Sequence, residues 1–363
     1  MIGSAEQRGQ SLWTKRPFAL LWTGQTVSQL GSQVTLVALP LTAILVLDAT
    51  PLQVGLLTAT GIATGAIFGL LAGVWVDRAR RRPLQIISQI ALTATTLSIP
   101  VAAWLGMLRL EQLFVVEAVN GVLAATSQLA GQAYSPSIVQ SAQLAEANAR
   151  LTTSTAATRV AGPSLAGVLI QLTSAPIAIL ADAVSFVVSA ICLTFINADE
   201  PAPKTTANRS IAAEIKEGLY LVLGHRLIRP LVLSTGAYNF FAAIFVAVYT
   251  LFMVREIGFA PATIGAVIAP AHALGRVSAS QRVIVIAAAP IGAALGGVLG
   301  ELFGLRATVG IAAVGSVAAT AFLLRSPLWS TTQMDLPEEA PPGDVIEPPA
   351  ATPTTLWRFR SAL

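Results

Sequence analysis

The chain has 363 residues, 54% of them hydrophobic and only 11% charged, with a mean hydropathy of +0.71. An ordinary soluble domain carries about 25% charged residues, so charge this sparse cannot cover a water-facing surface, and a soluble enzyme or binding domain is excluded. The net charge of +4 and pI near 9.6 do not indicate nucleic acid, because the basic residues sit in short loops between apolar runs.

Those runs are about 20 residues long, enough to cross a ~30 Å hydrocarbon layer as helix. A membrane β-barrel would instead alternate polarity over ~10-residue segments. The predicted fold class is therefore an all-α polytopic membrane protein. A single cysteine, Cys192, excludes an internal disulfide framework, and its place in an apolar run makes it a small buried hydrophobe.

In chain order, residues 1–17 are polar, end in Lys15-Arg16-Pro17 and read as a cytoplasmic segment with no cleavable signal before the first span. Membrane helices are predicted at about 18–47, 53–76, 84–106, 112–134, 152–172, 176–197, 229–254, 281–301 and 306–325, with a weaker tenth at about 262–279. The first six form one bundle, 18–197. A linker at 198–228, containing Asp199-Glu200-Pro201-Ala202-Pro203-Lys204, separates them from a second, shorter set at 229–325. Residues 326–363 are Pro-rich and acidic and are predicted to be disordered.

Placing the N-terminus in the cytoplasm puts Lys15, Arg16, Arg78, Arg80, Arg81, Arg82, Arg150, Lys204, Arg209, Lys216, Arg226 and Arg229 on that side. The opposite loops hold little more than Arg109, Arg255 and Arg306, an asymmetry that sets the orientation. If 262–279 spans, ten helices leave the tail in the cytoplasm. If it does not, the last two spans invert and the tail lies outside; ten is the favoured reading.

Weak internal repeats relate the halves. Arg16-Pro17 and Pro51-x-x-Val54-Gly55 recur as Arg229-Pro230 and Pro261-x-x-Ile264-Gly265, about 210 residues on. Ala166-Gly167-Val168-Leu169 recurs as Gly296-Gly297-Val298-Leu299, only about 130 on. The change of offset predicts that the second half lacks about 80 residues corresponding to roughly 60–145.

The loop Gly73-Val-Trp-Val-Asp77-Arg78-Ala-Arg80-Arg81-Arg82-Pro83 resembles the signature loop of the major facilitator superfamily, with Arg80 in place of the middle glycine. Ala161-Gly162-Pro163-Ser164-Leu165-Ala166-Gly167 is similar to the fifth-helix Gly-Pro motif of that superfamily's exporters. Leu21-Trp22-Thr23-Gly24-Gln25-Thr26-Val27-Ser28, Asp182-Ala183-Val184-Ser185-Phe186 and Gly300-Glu301-Leu302-Phe303-Gly304-Leu305-Arg306 resemble its macrolide-efflux and enterobactin-exporter branch. The resemblance covers about 13–268 and 274–328 and breaks at Ala269-Pro270-Ala271-His272.

The resemblance implies a bacterial inner-membrane permease with a complete first six-helix bundle and an incomplete second one. It implies export of small amphipathic molecules such as drugs or siderophores, by proton antiport and alternating access. The proton gradient is the expected energy source, with no cofactor and no metal. Its expected partners are the substrate and the lipid bilayer, with no nucleic acid, and the chain is expected to be a monomer. The alternative is a decayed, non-transporting membrane protein that keeps the scaffold.

Candidate residues follow from the motifs and from polar groups inside apolar helices. Gly73, Asp77, Arg78, Arg81 and Arg82 form the loop that the superfamily uses as a conformational latch. Asp77 can accept from a neighbouring helix N-terminus and Arg78 can pair with an acid, while the tripled arginine also suits a plain positive-inside role. Gly162, Pro163 and Gly167 bend a helix and admit a close neighbour, for rocking or for packing alone. Gln25, Gln29 and Gln33 recur every four residues and put three amides on one stripe, facing a cavity or another helix.

Glu117, Arg159 and Asp182 interrupt apolar helices at a cost of about 2.5–3.5 kcal/mol each even on the mild insertion scale. They are therefore expected to face the bundle interior. Glu117 with Arg159 is the candidate proton or substrate pair, and Asp182 reads as an orienting acceptor or a proton carrier. Relatives often have an acid where this chain has Ser32 and Gln128, and Asn239 fits the family's path pattern in the seventh helix. No nucleophile elbow, phosphate loop or Cys/His cluster appears, so the chain is not expected to be an enzyme.

Overall fold

The computed structural model describes residues 12–197, Glu200, 228–259, Thr263 and 282–324. Every described regular element is helical. The helices are α1 (Arg16–Val46), α2 (Pro51–Arg78), α3 (Arg81–Trp104), α4 (Leu110–Ile138) and α5 (Leu144–Leu172). In α6 (Ala175–Thr194) a short turn, Ala175–Ala178, runs on into Leu180–Thr194. The second half contributes α7 (Ile228–Arg255), α8 (Arg282–Phe303) and α9 (Leu305–Leu324).

All nine coincide with predicted spans to within a few residues at most ends. The exception is α5, which starts at Leu144 rather than near 152, because the polar stretch Glu146–Arg150 extends the helix instead of leaving it. Six of the helices are long and apolar enough to cross a membrane by the described residues alone. The candidate span 262–279, the body of the linker at 198–228 and the tail at 326–363 lie outside the described residues.

Local chemistry sets the ends. Asp48 takes a left-handed backbone (φ 50°) between α1 and α2, a conformation that Asp tolerates better than most residues. Thr50 then caps α2: its hydroxyl accepts from Gln53 N at 3.3 Å, Gln53 Oε1 accepts from Thr50 N at 2.8 Å, and Pro51 occupies the first turn.

Packing defines two ends of the bundle. One carries Lys15, Arg16, Arg80–Arg82 and Arg150, and is called the basic end here; the far end carries the α1–α2, α3–α4 and α8–α9 turns. In the first half α1 packs on α5 and α6, α2 on α4, and α3 on α4 and α6. The halves meet chiefly where α2 lies against α8. There a Cβ on Gly55 would stand 2.6 Å from Gly297 Cα, so only paired glycines allow the backbones to come this close. Glu301 Oε2 accepts from Leu52 N at 3.3 Å, placing a carboxylate from α8 at the N-terminus of α2 beside the Thr50 cap.

Contacts along α7 give the direction of the last helices. Gly292, Gly296 and Gly300 of α8 meet Phe240, Ile244 and Val248 in the same order, so α7 and α8 run parallel. Ser234 Oγ donates to Ala319 O at 2.7 Å and Arg306 pairs with Glu256 at 2.9 Å, so α9 runs antiparallel to α7. Residues 259 and 282 thus lie at opposite ends of the bundle, and Leu324 returns to the basic end.

The apolar core concentrates in the far half. Val34, Val37, Leu41 and Ile44 of α1 join Val54 and Leu57 of α2, Ile99, Leu113, Ala166 and Ile170, and Val248 and Leu251 of α7. Both halves therefore contribute to one apolar plug there.

Candidate functional site

Below that plug, in the half nearer the basic end, lies a cavity of about 660 Å³. Among the described residues its walls come from α1, α3, α4, α5 and α6, and none from α7–α9. The α1 stripe supplies Gln25, Gln29 and Gln33, with Ser28 and Ser32 between them. Gln85 and Gln89 of α3 and Gln128 and Gln132 of α4 add further carboxamides. Thr152, Thr155, Thr158 and Arg159 come from α5, the least apolar of α1–α6.

Among the described residues Arg159 is the sole charged one on these walls, and it is exposed. Glu117 does not pair with it. Among the described residues the ion pairs are Arg150 with Glu146 and Arg306 with Glu256. Glu117 sits instead between α4 and α2, where Gly61 leaves the room that its Oε2 fills, because a Cβ there would collide with it. The expected proton or substrate pair is thus two separate groups: helix rotation points Arg159 inward and Glu117 towards α2.

Asp182 is buried and takes hydroxyl donors from two helices. Thr35 Oγ1 donates to its Oδ2 at 2.6 Å, Ser32 Oγ to its Oδ1 at 3.3 Å, and Ser185 Oγ to Oδ1 at 3.2 Å. The carboxylate clasps α1 to α6, and Ser32 connects it to the cavity wall. Asn239 lies off the cavity, with its Nδ2 donating to Thr235 O of its own helix at 2.8 Å.

Gly162 lies where the Gln33 side chain crosses α5, and a Cβ at that position would overlap Gln33 Cβ. Pro163 and Gly167 are buried beside it, and Ala166 and Ile170 belong to the far-end plug. The Gly-Pro motif therefore joins the cavity wall to the plug through α1.

In the latch loop, Gly73, Asp77 and Arg78 belong to the last part of α2, and their side chains lie outside the described residues. Arg82 has a specific place: its Nε donates to Leu193 O at 3.0 Å and its Nη2 to Thr194 O at 2.7 Å, satisfying the last carbonyls of α6. Glu200, just past α6, accepts in return from the backbone N–H groups of Arg81 and Arg82 at the start of α3. The two helix ends cap each other, so Arg82 does more than add charge to the basic end.

The sequence reading missed Gln85, Gln89 and Gln132 on the cavity wall. The signal was present, since Gln85 and Gln89 repeat the four-residue spacing of the α1 stripe within an apolar helix. Among the described residues no cluster of three or more His, Cys, Asp or Glu side chains could ligate a metal.

The Major Facilitator Superfamily sequence pattern matches residues 21–282. The chain is 28% identical over 229 residues to the uncharacterized MFS-type transporter y4rN of Sinorhizobium fredii, covering 61% of this chain and 54% of that protein. It is 27% identical over 206 residues to the uncharacterized MFS-type transporter YfiS of Bacillus subtilis, covering 55% and 47% respectively. The chain thus spans about half the length of the curated relatives it matches. Among solved structures it resembles a bacterial homolog of the human lysosomal transporter Spinster in an inward-facing, unoccupied conformation, with TM-score 0.58, 15% identity, and 87% and 81% of the two chains covered. It also resembles the nucleoside transporter NupG, with TM-score 0.62, 11% identity, and 85% and 99% covered; both likenesses concern the fold alone. The chain is a multi-pass membrane protein with the helices, the signature loop and the relatives of one family, and it belongs to the Major Facilitator Superfamily.

Proposed function

We propose that the chain is an exporting permease of the bacterial inner membrane, loading small amphipathic molecules such as drugs or siderophores from the cytoplasm. The observation that carries this reading is the contrast along the bundle axis: a polar cavity at the basic end and an apolar plug from both halves at the far end. One-sided access of this kind is half of an alternating-access cycle. The excess of arginine and lysine at the cavity end supports a cytoplasmic location for that end and for the N-terminus.

Export and membership of the macrolide-efflux and enterobactin-exporter branch rest on the resembling stretches around Trp22, Asp182 and Glu301. Proton antiport is the proposed coupling, with Asp182 reached from the cavity through Ser32. The parallel course of α7 and α8, with α8 against α2, is consistent with a second half that has lost an internal segment of about 80 residues.

A second reading is favoured by one specific observation: no described residue of α7–α9 lines the cavity. On that reading the chain keeps the scaffold without transporting. Efflux of labelled amphipathic compounds from cells expressing the chain, with and without a protonophore, decides between them. A version with the missing 80 residues restored from a relative serves as the control. Gradient-dependent efflux by the chain as it stands is the expected result. Efflux from the restored version alone would establish the second reading.

A further inference from the structure

The stretch Gly300-Glu301-Leu302-Phe303-Gly304-Leu305-Arg306 lies at the far end, and several of its residues have a separate contact there. Gly304 takes a left-handed backbone (φ 81°) and turns α8 into α9. Gly300 lies against the first half, since a Cβ on it would stand 3.3 Å from Pro51 Cβ. Glu301 reaches across to α2, where its Oε2 accepts from Leu52 N at 3.3 Å. Leu305 belongs to the apolar plug. Arg306 pairs with Glu256 at 2.9 Å, which ties the start of α9 to the end of α7.

A second bond crosses between the halves beside Glu256. Arg255, the last residue of α7, donates from Nη2 to Ala49 O at 3.0 Å. Ala49 is fully buried and belongs to the plug, and α2 begins two residues later. The second half therefore grips one short stretch of the first, with a cation on its carbonyl and an anion on its N–H. Each charge has the sign that its backbone group requires. Arg255 and Glu301 are exposed residues on the rim of the plug, so their bonds are modest in energy and can break and re-form.

From this arrangement we infer that Arg255 and Glu301 are the lock of an outer gate. They hold the α1–α2 turn against the second half while the far end is closed, and they let go of it when that end opens. The inference rests on the alternating-access reading above. Opening the far end requires the plug shared by Val54, Leu57, Val248 and Leu251 to part. The α1–α2 turn lies on that dividing line, so neither bond survives the motion. Arg306 and Glu256 both belong to the second half, and their pair travels with it. The lock acts on closure and leaves the cavity wall untouched.

The test is the rate at which a membrane-impermeant maleimide labels Gln128→Cys in the full chain with Cys192→Ser. Residue 128 lines the cavity and is exposed. Right-side-out vesicles present the far end on the orientation proposed above, and inside-out vesicles present the basic end. From the far end, Arg255→Gln with Glu301→Gln is expected to raise the rate about fivefold, and either change alone by less. Arg306→Gln removes a charge at the same end but no bond between the halves, and is expected to leave the rate unchanged. Pro51→Cys with Gly300→Cys brings two Cβ atoms within a few tenths of an ångström of disulfide spacing. Oxidation of that pair should suppress far-end labelling of residue 128, read on its own peptide by mass spectrometry, and reduction should restore it.

A far-end rate that the double variant leaves unchanged overturns the inference, as does one that Arg306→Gln raises equally. Should the double variant fail to accumulate, the cross-linked chain decides alone, and far-end labelling indifferent to the cross-link overturns the lock. The basic end separates this failure from that of the permease reading. Residue 128 labelled from the basic end, yet indifferent to every change at the far end, removes the lock and leaves the cavity standing. Residue 128 unlabelled from either end removes both.

Discussion

The two ends of the first six-helix bundle use the same helices for opposite purposes. Towards the far end α1 presents Val34, Val37, Leu41 and Ile44 to a core that includes Val248 and Leu251 of the second half. Towards the basic end the same helix presents Gln25, Gln29 and Gln33 to a cavity walled, among the described residues, by the first half alone. The difference teaches that the second half shares in the packing that fills the far end. It also teaches that, among the described residues, the first half alone assembles the polar wall. Closure and recognition are therefore separable by mutation.

The largest effect is expected where the halves meet. Gly55→Leu drives a side chain into the backbone of α8, which cannot rotate away, and overpacking of this kind costs about 3 kcal/mol or more. The variant should fail to accumulate or melt far below the natural chain in detergent, and unchanged melting would break the claim that α2 and α8 are in backbone contact. Next is Asp182→Ala, which leaves the Thr35 and Ser32 hydroxyls without their acceptor, while Ser185 Oγ keeps the backbone oxygen of residue 182 at 2.7 Å, and should cost about 2–3 kcal/mol in a denaturant titration. Asp182→Asn keeps an acceptor oxygen and should lose less, sharpening the distinction between a clasp and a charge.

A smaller loss, about 1 kcal/mol, is expected for Arg82→Gln, since the freed carbonyls of α6 lie at the water-facing end and hydrate. The smallest stability effect belongs to the cavity: Arg159→Gln removes a side chain with no ion-pair partner among the described residues and should stay within about 0.5 kcal/mol of the natural chain. An Arg159 variant that unfolds would show that the cavity residues hold the bundle together, collapsing the separation of the two ends. Independently of these, a thiol reagent that cannot cross the membrane should leave Ser361→Cys unlabelled from outside, because α9 runs back to the basic end.

Helix existence was legible because membrane spans are long apolar runs, and charge asymmetry supplied the orientation proposal. The start of α5 was not, since a helix that leaves the membrane among polar residues looks like a loop in one dimension. Periodicity put Gln25, Gln29 and Gln33 on one stripe, and the stripe lines the cavity. The partner of a lone charge is set by helix rotation and by neighbours far away in sequence. Nothing near Glu117 reveals that Gly61, on another helix, leaves a space of its size, nor that Arg159 faces elsewhere. The mutual capping of α3 and α6 was hidden for the same reason: Glu200 follows α6 directly, yet its acceptors serve the N–H groups of Arg81 and Arg82, more than a hundred residues earlier.

The most direct test of the cavity as the transport path is chemical blockade at one position. Gln128→Cys, in a chain with Cys192→Ser, would be modified in inside-out vesicles with a membrane-impermeant thiol reagent, and gradient-driven transport measured before and after. Rapid modification from the N-terminal side, slowed by a transported compound and followed by loss of transport, is the expected result. Transport that continues at full rate with residue 128 fully modified would contradict it.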